Sequence, residues 1–216
     1  MKSLEPQLVS GLFPRLATRF QAERDALIEL DGKVGDSDLG LTMSKAFIAA
    51  RDAVAALAEP DLPTQMKAAG AAIAKAAPST MGTLMATGFL HGSKALADAK
   101  NLDAAALAAF WDAYAKGVAH RGKAALGDKT VLDVLDPIAR CFEAQAADGA
   151  DLEMATKASA KVAADALEAT KDLVAQHGKA AAFQEKSRGV QDAGGTVAFI
   201  LVEELNLFMQ DMASAG

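Results

Sequence analysis

The sequence predicts an all-α protein, an array of eight antiparallel amphipathic helices. Three observations predict it. Half of the 216 residues are hydrophobic, but alanine dominates and aromatics are only 5%. Alanine is the best helix former, and its small side chain lets helices pack closely. Only six prolines interrupt the chain, and apolar residues recur at three- and four-residue spacing rather than in alternation. No repeat marks a solenoid.

The helical segments fall at 6–30, 40–58, 63–77, 83–99, 103–121, 130–147, 151–176 and 194–212. In the first, Leu27 and Leu30 continue an apolar face begun near Phe20. The second opens after Asp38-Leu39-Gly40. The third contains AAGAAIAKAA and the eighth VAFILVEEL, runs too short or too interrupted to span a membrane. The fourth starts near Gly82 and carries His91 on its face. The fifth holds Trp111 and Tyr114, three residues apart and read as packing. In the sixth, Leu132, Leu135, Ile138 and Phe142 form one face, and Cys141 reads as a buried structural thiol. The seventh is alanine-rich with a charged outer face.

The connections divide into two groups. Those after the second, fourth and sixth segments (AEPDLP, AKNLD, ADGAD) carry plain turn chemistry. Those after the first, third, fifth and seventh (DGKVGDSDLG, PSTMG, HRGKAALGDKT, HGKAAAFQEKSRGVQDAGG) hold most of the glycine and the clustered polar residues. In an antiparallel array the odd-numbered connections emerge together at one end. The alternation therefore predicts a binding rim at that end.

The first rim loop places Asp31, Asp36 and Asp38 within eight residues, between Gly32, Gly35 and Gly40. Glycine lets the loop fold so that the carboxylates converge, and a divalent cation removes their repulsion. All-oxygen ligands select Mg²⁺ or Ca²⁺ over zinc. An EF-hand fails, because its twelfth position falls on Thr42 or Phe47 and not on glutamate. Mg²⁺ completes its shell with water and phosphate oxygens, so an open aspartate cluster predicts a phosphate ligand.

The other rim loops fit a phosphate. Ser79 and Thr80 precede a helix, where exposed N–H groups and hydroxyls favour anions; an ordinary N-cap is the alternative. RGKAALGDKT supplies Arg121, Lys123 and Lys129 but is not a Walker A loop, because Asp128 separates Gly127 from Lys129. Asp128 or Thr130 caps the next helix. QDAGGT places glycines at the last helix start, with Lys179, Lys186 and Arg188 upstream. Of the histidines, His120 borders a rim loop. A net charge of −6 argues against a basic nucleic-acid face. One cysteine forms no internal disulfide, which places the chain in a reducing cytoplasm. The N-terminus lacks the uninterrupted apolar run of a signal peptide.

These motifs resemble the L subunit of dihydroxyacetone kinase, its nucleotide-binding subunit or domain, almost end to end. The carriers are LDGKVGDSDLGLTM, TMGTLMATGF, RGKAALGDKTVLDVLDP and QDAGGT. The resemblance implies that residues 1–216 form one domain, a barrel of eight antiparallel helices holding ADP or ATP at one end through two Mg²⁺ ions. It assigns Asp31, Asp36 and Asp38 to the metal. It assigns Leu39, Gly40, Leu41 and Thr42 to the helix start beneath the phosphates, and Ser79, Thr80 and Met81 to the turn beside them. Gly122, Thr130, Val131 and Lys179 fall at nucleotide-contacting positions, and Asp192, Ala193 and Gly194 match the family's D-P-G turn. Leu39 stands where the family has histidine, Thr42 where it has asparagine, and Lys179 where it has arginine, whose bidentate fork is lost. The partners it implies are a K-type ketose-binding subunit and, on one of two donor routes, a phosphotransferase-system phosphodonor subunit; a homodimer is also compatible. A non-catalytic nucleotide sensor of the same fold and a bare helical scaffold stand as the rival readings.

Overall fold

The computed structural model describes residues 1–214. Among them the chain forms ten α-helices: α1 Pro6–Val9, α2 Leu12–Ala22, α3 Arg24–Gly32, α4 Leu39–Ala55, α5 Leu62–Ala76, α6 Thr80–Ala95, α7 Ala104–Gly122, α8 Leu132–Ala147, α9 Leu152–Ala169 and α10 Ala193–Ser214. Seven of the eight expected segments correspond one to one with α4–α10. The first is divided into three. Gly11 separates α1 from α2, and at Glu23 the backbone tightens to ψ 0° before α3 begins. The break lets α3 lie against α4, and that apposition places Asp31 at the start of α4.

The helices close a ring. Each of α4 to α10 packs on its neighbour in sequence, α2 and α3 pack on α4, and α10 returns to α2. The closure is electrostatic as well as apolar. On α2, Arg15 pairs with Glu204 at 2.6 Å and Asp211 at 2.5 Å, and Arg19 pairs with Glu203 at 2.7 Å, all three acids lying on α10. Glu204 is buried, so the arginine offsets a desolvated charge.

Aromatic rings fill the interior. Phe20 stacks on Phe47 with centroids 4.3 Å apart, and Trp111 lies parallel to Phe142 at 5.9 Å. Phe89 meets Phe13, Phe47, Phe110 and Tyr114. Trp111 and Tyr114 are packing residues, as expected. Leu132, Leu135, Ile138 and Phe142 are all buried, and Cys141 is half-buried.

The two ends of the ring are built differently. At one, Asp61, Asp103 and Asp151 cap α5, α7 and α9, accepting Thr64 N at 2.7 Å, Ala106 N at 2.8 Å and Met154 N at 3.0 Å. The plain turns thus spend their aspartates on helix starts. The N-terminal residues cover this end. The Met1 amine pairs with Asp151 at 3.0 Å, and Gln65 Nε2 donates to Pro6 O at 2.7 Å. A two-residue strand β1 (Ser3–Leu4) pairs antiparallel with β2 (Leu102–Asp103), an element too short for sequence periodicity to register. No helix among the described residues is long and apolar enough to cross a membrane.

Two predicted boundaries shift at the other end. The segment expected at 83–99 begins at Thr80, because Ser79 Oγ accepts Gly82 N at 3.1 Å and caps it. The segment expected at 151–176 stops at Ala169, where the Thr170 hydroxyl donates to Leu167 O at 2.6 Å and accepts Asp192 N at 3.0 Å. The hydroxyl thereby ties the two ends of the 170–192 connection together.

Candidate functional site

Four connections meet at the open end: 33–38, 77–79, 123–131 and 170–192. Lys179 forms an ion pair with Asp36, linking the fourth to the first. Gln176 N donates to Asp128 O at 2.9 Å, and His177 Nε2 lies 2.9 Å from Asp128 Oδ2, linking the fourth to the third. Leu84, in the second turn of α6, lies against Gly122 at the end of α7. All four non-glycine residues with positive φ among the described residues, Ser37, Lys123, Lys129 and Gln184, lie in these connections. Each such conformation costs about 1–3 kcal/mol and persists only where neighbours enforce it.

Asp31, Asp36 and Asp38 come together as the sequence predicts, each offering a carboxylate oxygen within 4.8 Å of the others. Asp31 is the fixed member. Its Oδ2 accepts Asp38 N at 3.1 Å and Leu39 N at 3.4 Å, taking the place of the N-cap on α4. Gly35 lets the chain pass over it, because any Cβ there would meet the Asp31 carboxylate and its carbonyl oxygen. Asp36 and Asp38 are exposed, Asp36 held only by its surface pair with Lys179. In an octahedron with bonds near 2.1 Å, ligand oxygens are about 3–4 Å apart. A small rotamer adjustment brings three all-oxygen donors to that spacing, so the residues fit a hard divalent cation.

Four helices start at this end, α4, α6, α8 and α10. Leu39, Gly40, Leu41 and Thr42 form the first turn of α4, Thr80 and Met81 open α6, and Ala193 and Gly194 open α10. Apart from Thr42 N, which donates to Asp38 O at 2.9 Å, the N–H groups of these residues have no acceptor one turn back and carry the positive end of the helix dipole. Leu39 and Val131 are buried, so they face the rim with backbone only. Thr130 Oγ1 accepts Leu132 N at 3.2 Å and caps α8, whereas Asp128 turns back to accept Ala125 N at 2.7 Å.

Three residues differ from their sequence reading. Lys129, grouped with the phosphate-facing cations, is buried with its amine turned inward. A left-handed backbone, φ 58°, aims it there. Asp133, passed over in the sequence, holds the GDKT loop by accepting Gly127 N at 2.5 Å and Thr130 N at 2.7 Å. The signal was present in the T-x-x-D spacing of a helix start. His120 is exposed at the end of α7, and His177 is the histidine bonded into the rim.

Asp192 accepts Gly195 N at 2.5 Å and caps α10. Burial pushes its carboxyl up to about 6, the Gly195 bond and Lys129 pull it down, and Asp133 and Asp31 push it further up. The folded state therefore holds this proton more tightly than the unfolded chain does. Ionisation costs the ligand-free protein stability as pH rises from about 4 to about 6, by up to about 3 kcal/mol. Asp192→Asn is expected to flatten that part of the stability–pH curve, measured by urea unfolding at pH 4, 5, 6 and 7.

The open end has relatives. Residues 33–206 match the DAK2 domain model. The chain is 29% identical over 201 residues to the ADP-binding subunit DhaL of the PEP-dependent dihydroxyacetone kinase of Escherichia coli K12, covering 93% of this chain and 95% of that protein. It is 35% identical over 193 residues to the D-erythrulose kinase of Mycolicibacterium smegmatis, covering 88% of this chain but 33% of that longer protein. Its fold matches the crystal structure of the dihydroxyacetone kinase from C. freundii in complex with AMP-PNP and Mg²⁺, with a TM-score of 0.71 over 94% of this chain and 35% of that one, at 22% identity. The matched model runs from the acidic loop through most of α10, and the chain belongs to the DAK2 domain family.

Proposed function

We propose that residues 1–216 form one nucleotide-binding domain, the Mg²⁺-dependent phosphoryl-transfer subunit of a dihydroxyacetone or related short-ketose kinase. The ketose would be held by a separate K-type subunit. The observation that carries this reading is the convergence of three aspartate oxygens within 4.8 Å at the same end as the N-termini of α4, α6, α8 and α10. Similarity to an ADP-binding subunit over nearly its whole length supports it.

In this reading Asp31, Asp36 and Asp38 hold two Mg²⁺ ions, which when bound would neutralise charge on the phosphates. Asp31 is pre-oriented by two backbone donors, so little ordering is left for the moment of binding. Backbone N–H groups of Gly40, Leu41, Thr80, Met81, Ala193 and Gly194 would point at phosphate oxygens, the arrangement that stabilises charge developing in transfer. Ser79, Thr42, Gly122, Thr130 and Val131 line the nucleotide's bed. Lys179, paired with Asp36, would exchange that carboxylate for a phosphate oxygen as the metal enters. Asp192 would hold the turn in place through its bond to Gly195. The chain supplies no base, since the acceptor hydroxyl belongs to a substrate bound elsewhere.

Exposed apolar side chains surround this bed. Leu41, Leu126 and Phe183 lie on three of the rim segments and are 46%, 59% and 39% exposed. They supply a surface for the K-type subunit to cover. The phosphate source is ATP in exchange, or bound ADP recharged by a phosphotransferase-system subunit. The half-buried single thiol of Cys141 agrees with a cytoplasmic setting.

The test combines the purified chain, a K-type subunit, Mg²⁺, ATP and dihydroxyacetone or erythrulose. Phosphorylated ketose is the expected product. Nucleotide binding without transfer would instead identify a sensor, and absence of binding would end the proposal.

A further inference from the structure

Lys129 is buried, and among the described residues its amine forms no ion pair, the Asp192 and Asp172 carboxylates acting on it only from a distance. Its Nζ donates to four main-chain carbonyls, Thr170 O at 2.8 Å, Leu173 O at 3.1 Å, Ser187 O at 2.8 Å and Val190 O at 2.7 Å. These oxygens come from both limbs of the 170–192 connection. An ammonium has three protons, so four acceptors leave one bond shared. The cage is thus shaped for a spherical charge, as carbonyl rings are in potassium sites. The connection also closes on itself, with Ser187 Oγ accepting Ala175 N at 3.0 Å and Gly189 N donating to Lys171 O at 2.7 Å. The limbs Lys129 joins carry His177 and Lys179 between them and end beside Asp192.

We propose that Lys129 is a positioning residue, a tethered stand-in for a monovalent cation, which folds the 170–192 connection and sets Lys179 and Asp192 beside the acidic cluster. The consequence for nucleotide affinity rests on the proposed function; the anchoring does not. The left-handed backbone at Lys129 is maintained by these four bonds, and the lysine acts without touching the ligand.

The experiment uses the full chain and the variants Lys129→Ala and Lys129→Met. Hydrogen–deuterium exchange of residues 171–190 is followed without nucleotide, and Mg²⁺–ADP affinity is measured separately. In Lys129→Ala the Ala175 and Gly189 amides are expected to exchange at least about tenfold faster, and affinity to fall by about tenfold. Potassium or ammonium ions should restore both, whereas tetramethylammonium at equal ionic strength, too large for the cage, should not. Lys129→Met, which fills the cage with an apolar chain, should lose protection without rescue. Unchanged protection in Lys129→Ala overturns the proposal, as does a loss that small cations repair no better than tetramethylammonium. If the alanine variant does not fold, ¹⁵N-lysine labelling of the wild-type chain decides. One ammonium signal with slowed proton exchange is expected, and its absence overturns the proposal. If the wild type binds no nucleotide, the proposed function falls while the exchange result still judges the anchor.

Discussion

Asp38→Ala and Asp36→Ala are expected to abolish the rise in melting temperature that the proposed function predicts for the wild-type chain with Mg²⁺ and ADP. At a ligand concentration a hundred times its dissociation constant, binding adds about 2.7 kcal/mol. For a chain of this size that is about 5–10 °C. Both aspartates are exposed, and the Lys179–Asp36 pair is a surface pair of small worth. Stability of the ligand-free variants should therefore stay within about 0.5 kcal/mol of wild type. Asp31 separates two roles. Asp31→Asn keeps an acceptor for Asp38 N and Leu39 N but loses the charge, so it should fold normally and lose the Mg²⁺–ADP shift. Asp31→Ala removes the acceptor too and leaves two N–H groups at the start of α4 unpaired, a further loss of about 1–3 kcal/mol. Differential scanning fluorimetry with and without each ligand reads all four variants. A full Mg²⁺–ADP shift in Asp38→Ala would show that the acidic cluster is not the metal site.

Gly40→Ala is expected to destabilise the protein by about 3 kcal/mol despite the better helix propensity of alanine. Gly40 lies in the first turn of α4 where α3 crosses it. A Cβ there would run into the Arg24 carbonyl oxygen and come within 2.9 Å of Ile28 Cγ1. Backbone cannot rotate away as a side-chain tip can, so the steric term exceeds the gain of about 1 kcal/mol from propensity. The expected relief is a separation of α3 from α4, which moves Asp31 off the N–H groups of Asp38 and Leu39. Gly40→Ala should then lose Mg²⁺ affinity as well as stability. Gly149→Ala is the control. Its φ of 73° strains an alanine, but the space around it is open, so only about 1 kcal/mol is expected, with no effect on the metal. Urea unfolding and Mg²⁺ titration distinguish the two. A stabilised Gly40→Ala would mean that the crossing is loose.

Much of this architecture was legible because its signals are local. Alanine content and three- and four-residue spacing placed α4 to α10, since helix formation depends on neighbours within a turn. The unequal chemistry of odd and even connections foretold that the glycine-rich, polar loops would gather at one end. The other end proved to use its aspartates, Asp61, Asp103 and Asp151, as helix caps. Of the two breaks in 6–30, the one at Ser10-Gly11 carries a breaker signal; the one at Glu23 was not legible. Glu23 carries no breaker signal, and α3 turns away to dock on Gly40, 16 residues after its own start at Arg24.

By itself the sequence determined the helices, the end at which the glycine-rich and polar loops gather, and the three acids Asp31, Asp36 and Asp38, because spacing and glycine content are properties of the chain. Tertiary structure decided what each charged group faces. Asp133 became a loop clasp. Lys129 passed from the rim to the interior, where carbonyls from Thr170 to Val190 meet only after α9 and α10 pack beside α8. A lysine's sequence neighbours do not reveal which dipoles will surround its amine, because those dipoles come from residues more than forty positions away.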